Sequence, residues 1–149
     1  MTIQLRGHHL ICLQFYRGQG YSDDFVANLD RVLATVVESP ALVVSAPDDV
    51  CFACPGLGTD GTCQHPDTGE AEALRIDALA LQLLDVAIGE RLSLTEARSR
   101  LAGDSEARDR WQAESCQGCS WCSACDEGWR ALHAEGSDSR LLGVLRPAE

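Results

Sequence analysis

The chain has no lysine, so all twelve of its basic residues are arginine. Without a lysine amine, its side chains cannot form a Schiff base with a carbonyl substrate. It also lacks an apolar run of the roughly 18–20 residues that a transmembrane helix requires, which argues against a membrane protein. No secretory leader is recognisable, because Arg6, His8 and His9 interrupt the first apolar run. We therefore expect a cytoplasmic protein, in a compartment where thiols stay reduced.

Positive charge is scarce as well, and the formal net charge is −11. An acidic surface repels phosphate backbones, so we expect no nucleic acid partner. The same surface suits a protein that docks through a basic patch, and we therefore expect a protein redox partner. The sequence makes no prediction of an oligomeric state.

The length of 149 residues suits a single domain, and the hydrophobic content of 45% suits an ordinary core. A chain of this size does not need the disulfides that hold small secreted domains together. We expect residues 1–135 to form one cysteine-rich, metal- or cluster-binding domain. Residues 136–149 show no periodic pattern and are predicted to be a C-terminal tail.

Hydrophobic periodicity predicts a mainly α fold, namely a small helical domain with one or two short strands and a cysteine-rich metal-binding loop region. Ser22 is the predicted N-cap of one helix, and Ser93 with Glu96 forms a capping-box pattern for another. The helix over 70–88 is apolar on two sides, which indicates a central position. The predicted strands are 2–6 and 41–45, and the predicted helices are 8–17, 23–39, 70–88, 93–103, 105–115 and 123–134.

Seven of the eight cysteines fall in two groups. Cys51, Cys54 and Cys63 lie in a stretch rich in proline, glycine and aspartate, and Cys116, Cys119, Cys122 and Cys125 follow one another at a three-residue step. Disulfides within the second group would strain the backbone, whereas a two-residue gap lets a turn direct two thiolates at one ion. The spacing therefore predicts metal ligands. It suits zinc and an iron–sulfur cluster equally well.

The segment RGHHLIC holds the remaining candidates. Arg6, His8 and His9 are predicted to bind a cofactor, and Cys12 is predicted to bind metal, because it lies one helical turn after the histidines. Two adjacent histidines are costly to bury without polar partners, which a metal-bound thiolate centre would supply. The alternative is a structural role, with the histidines bonded to backbone and Cys12 in the core.

Several short motifs occur together and in a fixed order along the chain. They are RGHHLIC with Leu13, GQGYS with Phe25 and Asn28, PDD before Cys51-x2-Cys54-Pro55, Cys63, and Cys116-x2-Cys119-x-Trp121.

In this combination the chain resembles the domain-of-unknown-function family numbered 1284, from Arg6 to about residue 128. Members are often labelled as iron–sulfur or ferredoxin-like proteins, so the resemblance implies iron rather than zinc. It also implies that Cys125 closes the last motif and that Cys122 is an addition.

The expected function is therefore iron–sulfur-cluster binding, with electron transfer as the task. Two alternatives stay open. One is a structural zinc protein, and the other is a metal-dependent enzyme that uses Arg6, His8 and His9 to bind an anion or move a proton. We assign no catalytic residue, because the sequence shows no nucleophile–base pair and no phosphate-binding loop.

Overall fold

The computed structural model describes residues 2–15, 22–36, 39–45, 47–64 and 69–115. These residues form five α-helices and one three-stranded sheet, so the predicted mainly α class is confirmed. The predicted helix over 123–134 and the predicted tail lie outside the described residues. The strands are β1 (Gln4–Arg6), β2 (Ala41–Val44) and β3 (Arg91–Leu92), and the helices are α1 (Gly7–Cys12), α2 (Asp23–Val36), α3 (Gly69–Leu84), α4 (Leu94–Ala102) and α5 (Ser105–Ser115).

The small sheet has the order β1-β2-β3. β1 and β2 are parallel, with Gln4 opposite Leu42, whereas β3 pairs antiparallel to β2, with Leu92 opposite Ala41. Two residues are too few to give β3 a readable alternation, so the sequence did not predict it. α1 begins where β1 ends, which places the RGHHLIC segment at the edge of the sheet.

The helix starts follow the predicted caps. The Ser22 hydroxyl accepts a hydrogen bond from the backbone N–H of Phe25 at 3.1 Å, and the Ser93 hydroxyl accepts one from the N–H of Glu96 at 3.0 Å. A side-chain oxygen at this position satisfies an N–H that has no partner within the helix. The apolar residues at helical spacing on α2 are all buried, namely Phe25, Leu29, Val32 and Val36.

Two helices are shorter than the periodicity predicts. α1 ends at Cys12 and continues as a single 3-10 turn over Leu13–Phe15. α3 ends at Leu84 rather than at residue 88, because Asp85 adopts a left-handed backbone with φ of 52°. This helix does not bury all the apolar residues of the predicted span, since Leu74 and Ile88 are exposed whereas Leu81 and Leu83 pack against the core. Its single buried face comprises Ala73, Ile76, Asp77, Leu79, Ala80 and Leu84.

Arginine side chains close the C-terminal ends of α3 and α4. Arg100, on α4, donates from Nη1 to the carbonyl oxygens of Leu84 at 2.6 Å and Asp85 at 3.1 Å. Arg108, on α5, donates from Nη1 to the carbonyl oxygens of Leu101 and Ala102, at 2.8 and 2.5 Å. The last carbonyls of a helix have no hydrogen-bond donor within the helix and carry partial negative charge. A guanidinium therefore stabilises them both by donating hydrogen bonds and by its positive charge.

α1 packs closely against α3, and Gly7 is the residue that permits it. A Cβ at position 7 would overlap the backbone carbonyl of Asp77, which belongs to the rigid middle of α3. Because backbone cannot move aside as a flexible side chain can, the contact requires glycine. Among the helices of the described residues, none is both long and apolar enough to cross a bilayer.

We predict that Gly7→Ala lowers the free energy of unfolding by about 1–3 kcal/mol, the usual range for overpacking a tight contact. Urea denaturation would measure the change. Gly103→Ala is the matched control, since its backbone is right-handed and the nearest atom to its Cβ would be the Ser99 carbonyl oxygen at 3.3 Å. Equal losses in the two variants would contradict the close approach of α1 to α3.

Candidate functional site

The side chain of Arg6 lies at the centre of a cluster of carboxylates. Its Nε donates to Oδ2 of Asp77 at 2.7 Å, and its Nη2 donates to Oε1 of Glu70 at 3.3 Å. Only 1% of the Arg6 side chain is exposed, so these bonds form largely out of water. Burial alone would lower the pKa of Arg6, but Asp77 and the Cys51 thiol together raise it above its ordinary value.

Asp77 binds His8 as well as Arg6. Its Oδ1 accepts a hydrogen bond from the backbone N–H of His8 at 3.0 Å and lies 2.6 Å from the ring nitrogen Nδ1 of the same residue. Burial alone would raise the pKa of Asp77, but the hydrogen bonds and charge of His8, with Arg6, lower it. One carboxylate of α3 therefore fixes the end of β1 and the start of α1.

Asp48 binds the ring of His9, as Asp77 binds the ring of His8. It is fully buried, and its Oδ2 accepts from the backbone N–H of Arg6 at 2.7 Å and lies 2.7 Å from Nδ1 of His9. Its Oδ1 accepts from the backbone N–H groups of Val50 and Cys51, at 2.9 and 3.0 Å. Asp48 thus joins the start of the cysteine loop to α1.

Burial and charge shift the pKa values of Asp48 and Cys51 in opposite directions. Burial would raise the pKa of Asp48, but the charge and hydrogen bond of His9, with backbone N–H groups, lower it to about 2. Burial and the neighbouring Asp48 charge raise the pKa of Cys51 to about 12. Without metal, this site therefore holds a carboxylate and a protonated thiol at neutral pH. A metal ion that binds Cys51 must displace that proton.

The two imidazole rings stack at an angle, with their centroids 4.2 Å apart and their planes at 54°. In each ring, Nδ1 faces a buried carboxylate, Asp77 for His8 and Asp48 for His9. This contact fixes the orientation of the ring and does not involve Nε2. Burial, followed by the charge of His9, lowers the pKa of His8. Carboxylates, which the sequence analysis did not name as partners, therefore satisfy the two histidines.

Three different donor types meet at one point of this cluster. One ligand atom each from His9, Asp48 and Cys51 lies within 4.8 Å of the other two. Nitrogen, oxygen and sulfur donors at this spacing can hold a metal ion. Cys12 does not belong to this group, and its side chain is exposed at the end of α1.

Cys54 and Cys63 lie together in the adjoining loop. Residues 56–64 fold back on themselves, with Gly58 N–H bonded to the Thr62 carbonyl at 2.8 Å and Gln64 N–H bonded to the Gly56 carbonyl at 2.7 Å. The Cys54 sulfur accepts the N–H of Gly56 at 3.3 Å. Burial raises the pKa of the Cys54 thiol, and the charge of Cys63 raises it further. Cys51, Cys54 and Cys63 are all free thiols.

The structure therefore brings Arg6, His8, His9 and Cys51 into one cluster and places Cys54 and Cys63 in the loop beside it. The second predicted cysteine group lies outside the described residues. Its members are Cys116, Cys119, Cys122 and Cys125.

Sequence reasoning missed the three carboxylates, Asp48, Asp77 and Glu70. Asp77 gave a signal, because it is a charged residue on the buried face of α3, between Ile76 and Ala80. A charge in such a position needs a partner. Asp48 belongs to the PDD motif, and its position three residues before Cys51 suits a side chain that caps a turn. Glu70 gave no signal.

A scan of family models matches residues 20–125 to the family described as Protein of unknown function (DUF1284). The chain belongs to the DUF1284 family. The matched stretch includes both cysteine groups and Asp48, whereas Arg6, His8 and His9 of this DUF1284 chain precede it. No curated protein and no solved structure matches the chain.

We predict that Asp77→Asn lowers the free energy of unfolding by on the order of 3 kcal/mol, because it leaves the buried Arg6 charge without its main partner. Urea denaturation at neutral pH would measure this loss. Asp109→Asn, the same substitution at an exposed position of α5, is the control and should change stability by less than about 0.5 kcal/mol. A loss as small as that of the control would contradict the importance of the ion pair.

Asp48 should make the metal-free protein sensitive to acid. Its pKa falls from 3.8 to about 2 on folding, so its contribution is complete above about pH 4 and is lost as the pH falls towards 2. That difference corresponds to about 2 kcal/mol.

Urea denaturation of chelator-treated protein between pH 2 and 5 would test this. Asp48→Asn should flatten the pH dependence, and Asp109→Asn should keep the slope of the parent protein. Parallel curves for the parent and Asp48→Asn would contradict the assignment.

Proposed function

We propose that this protein binds an iron–sulfur cluster through cysteines of both groups and transfers electrons in the cytoplasm. The main support is the position of helix α3. Its N-terminal half is bonded both to the first cysteine loop and to the end of α5, which immediately precedes the second cysteine group.

The first of these bonds joins Glu70 to the loop. Oε2 of Glu70 accepts the backbone N–H of Cys63 at 2.8 Å, while Oε1 of the same carboxylate binds Arg6. The loop around Cys63 is thereby held against the start of α3. Because Cys54 interacts electrostatically with Cys63, both thiols lie at this end of the helix.

The second bond joins Arg75 to α5. Nη2 of Arg75 donates to the carbonyl oxygen of Glu114 at 2.7 Å, two residues before Cys116. Glu70 and Arg75 are five residues apart, or about 7.5 Å along the helix axis. This arrangement supports a centre shared by the two groups.

The donors in the loop suit a cluster. Cys54 receives a backbone N–H, and such bonds to ligand sulfurs stabilise their negative charge and tune the potential of iron–sulfur centres. Cys54 and Cys63 would hold the cluster together with cysteines of the second group, and Cys12 is a further candidate. When bound, a cluster would supply a one-electron redox centre. The acidic surface would dock a partner with a basic patch.

Anaerobic purification, followed by iron and sulfide analysis and an absorption spectrum, would test the proposal. We expect Cys54→Ser and Cys63→Ser to lose most of the iron, whereas Ala78→Ser, which introduces serine at an exposed position of α3, should keep it. If Cys12→Ser loses iron, Cys12 is a ligand of the cluster. If Cys12→Ser keeps the iron content of the parent protein, Cys12 is not a ligand.

Far-UV circular dichroism would confirm that each variant is folded. Zinc without iron or sulfide in the parent protein would contradict the proposal and favour a structural zinc site. Iron that survives both loop substitutions would contradict the shared ligand set.

A metal-dependent enzyme is the second candidate, and one observation favours it. His8 and His9 each hold Nδ1 against a buried carboxylate, the arrangement that prepares an imidazole to accept a proton at Nε2. The adjacent Arg6 is held by Asp77 and Glu70. Its guanidinium is therefore already paired, which weakens the expectation that it binds an anionic substrate.

A further inference from the structure

We infer that His9, Asp48 and Cys51 form a binding site for a single divalent metal ion of the zinc class, separate from the proposed cluster. One ligand atom from each residue lies within 4.8 Å of the other two. An imidazole nitrogen, a carboxylate oxygen and a thiol sulfur form the mixed donor set that suits zinc and its close neighbours.

The first cysteine group divides into two parts in the structure. Among the described residues, the ligand atom of Cys51 is grouped within 4.8 Å with those of His9 and Asp48, and neither Cys54 nor Cys63 belongs to this group. Cys51 therefore shares its surroundings with α1 and the buried carboxylate. This division separates the inferred ion from a cluster held by Cys54, Cys63 and the second cysteine group.

The ligand atoms of His9, Asp48 and Cys51 would have to move only a short distance to bind one ion. Ligand atoms around a tetrahedral zinc ion lie about 3.3–3.8 Å apart, given bonds of about 2.0–2.3 Å. Every separation here is within 4.8 Å, so the widest has to shorten by at most about 1.5 Å. Asp48 already holds both other residues, through the ring of His9 at 2.7 Å and the backbone N–H of Cys51 at 3.0 Å.

The charges around the site also favour a cation. The carboxylates of Asp77 and Glu70 bind the guanidinium of Arg6, whereas the Asp48 carboxylate accepts from the Arg6 backbone N–H and has no guanidinium bond among the described residues. Bonds from the backbone N–H groups of Arg6 and Val50 orient Asp48, as outer partners orient the ligands of metal sites in general.

Three protein ligands leave a fourth position for water or a substrate, as in catalytic zinc sites. The side chain of His9 is 16% exposed, so the site is close to solvent. The ion would therefore be exchangeable, and the site differs in this respect from a closed structural zinc site.

Cobalt is the probe, because its absorption reports thiolate ligation. The full-length protein, loaded with its cluster if it has one, would be titrated with Co²⁺ and followed by absorption and calorimetry. We expect one cobalt to bind. His9→Gln and Asp48→Asn should weaken this step by at least about 10–100-fold. Cys51→Ser should abolish the thiolate-to-cobalt absorption of that step.

Asp60→Asn is the matched control. Its carboxylate is exposed in the same loop and bonds to Thr62, so the variant should bind cobalt as the parent protein does. Circular dichroism and the urea midpoint would identify a variant that binds cobalt weakly only because it has unfolded. If His9→Gln or Asp48→Asn unfolds, the thiolate-to-cobalt absorption of folded Cys51→Ser decides the test.

The inference is overturned if His9→Gln and Asp48→Asn bind cobalt as tightly as the parent. It is also overturned if Cys54→Ser removes the same step, because the ion would then belong to the cluster ligands. A protein without iron that keeps the cobalt step would contradict the proposed function and leave this inference standing.

Discussion

The buried ion pair between Arg6 and Asp77 connects the first strand to the central helix, and the candidate site is built around it. Arg6 enters from β1, and Asp77 lies on the buried face of α3. The same carboxylate holds the backbone and ring of His8. Buried pairs of this kind are often no more stabilising than well-packed apolar residues. Their value here is positional, since one carboxylate fixes both a guanidinium and an imidazole.

Asp48 extends this constraint to the cysteine loop. Its two oxygens bind the backbone of β1, the ring of His9 and the first N–H groups of the turn at Cys51. The loop has little apolar burial of its own, and Phe52 is 65% exposed. Polar bonds to buried carboxylates therefore hold the loop in place. The candidate site and the fold depend on the same two aspartates, Asp48 and Asp77.

Local signals predicted the elements well and the site only in part. The apolar face of α2 and the caps at Ser22 and Ser93 depend on neighbours within a few residues, so periodicity and capping patterns find them. The end of α3 depends on the left-handed backbone of Asp85 and on Arg100, a partner 16 residues away from Leu84. Such contacts leave no local pattern.

The same limit applies to the carboxylates. Asp77 pairs with Arg6, which is 71 residues away in the sequence, and Asp48 pairs with His9, which is 39 residues away. The sequence predicted that the histidines need polar partners, but only the tertiary fold selects which ones. The cysteine spacing predicts a metal site without knowledge of the fold, because ligands that share one turn lie close together in the chain.

The arginine caps make the stability of each helix depend on the helix that follows it. Arg100 of α4 closes α3, and Arg108 of α5 closes α4. Fraying of α5 would withdraw the donor from α4, and opening of α4 would expose the last carbonyls of α3. The ends of the three helices are thus linked, because local opening of one helix removes a cap from the helix before it. Since α5 leads directly into Cys116, a contact that steadies α5 also protects the end of α4.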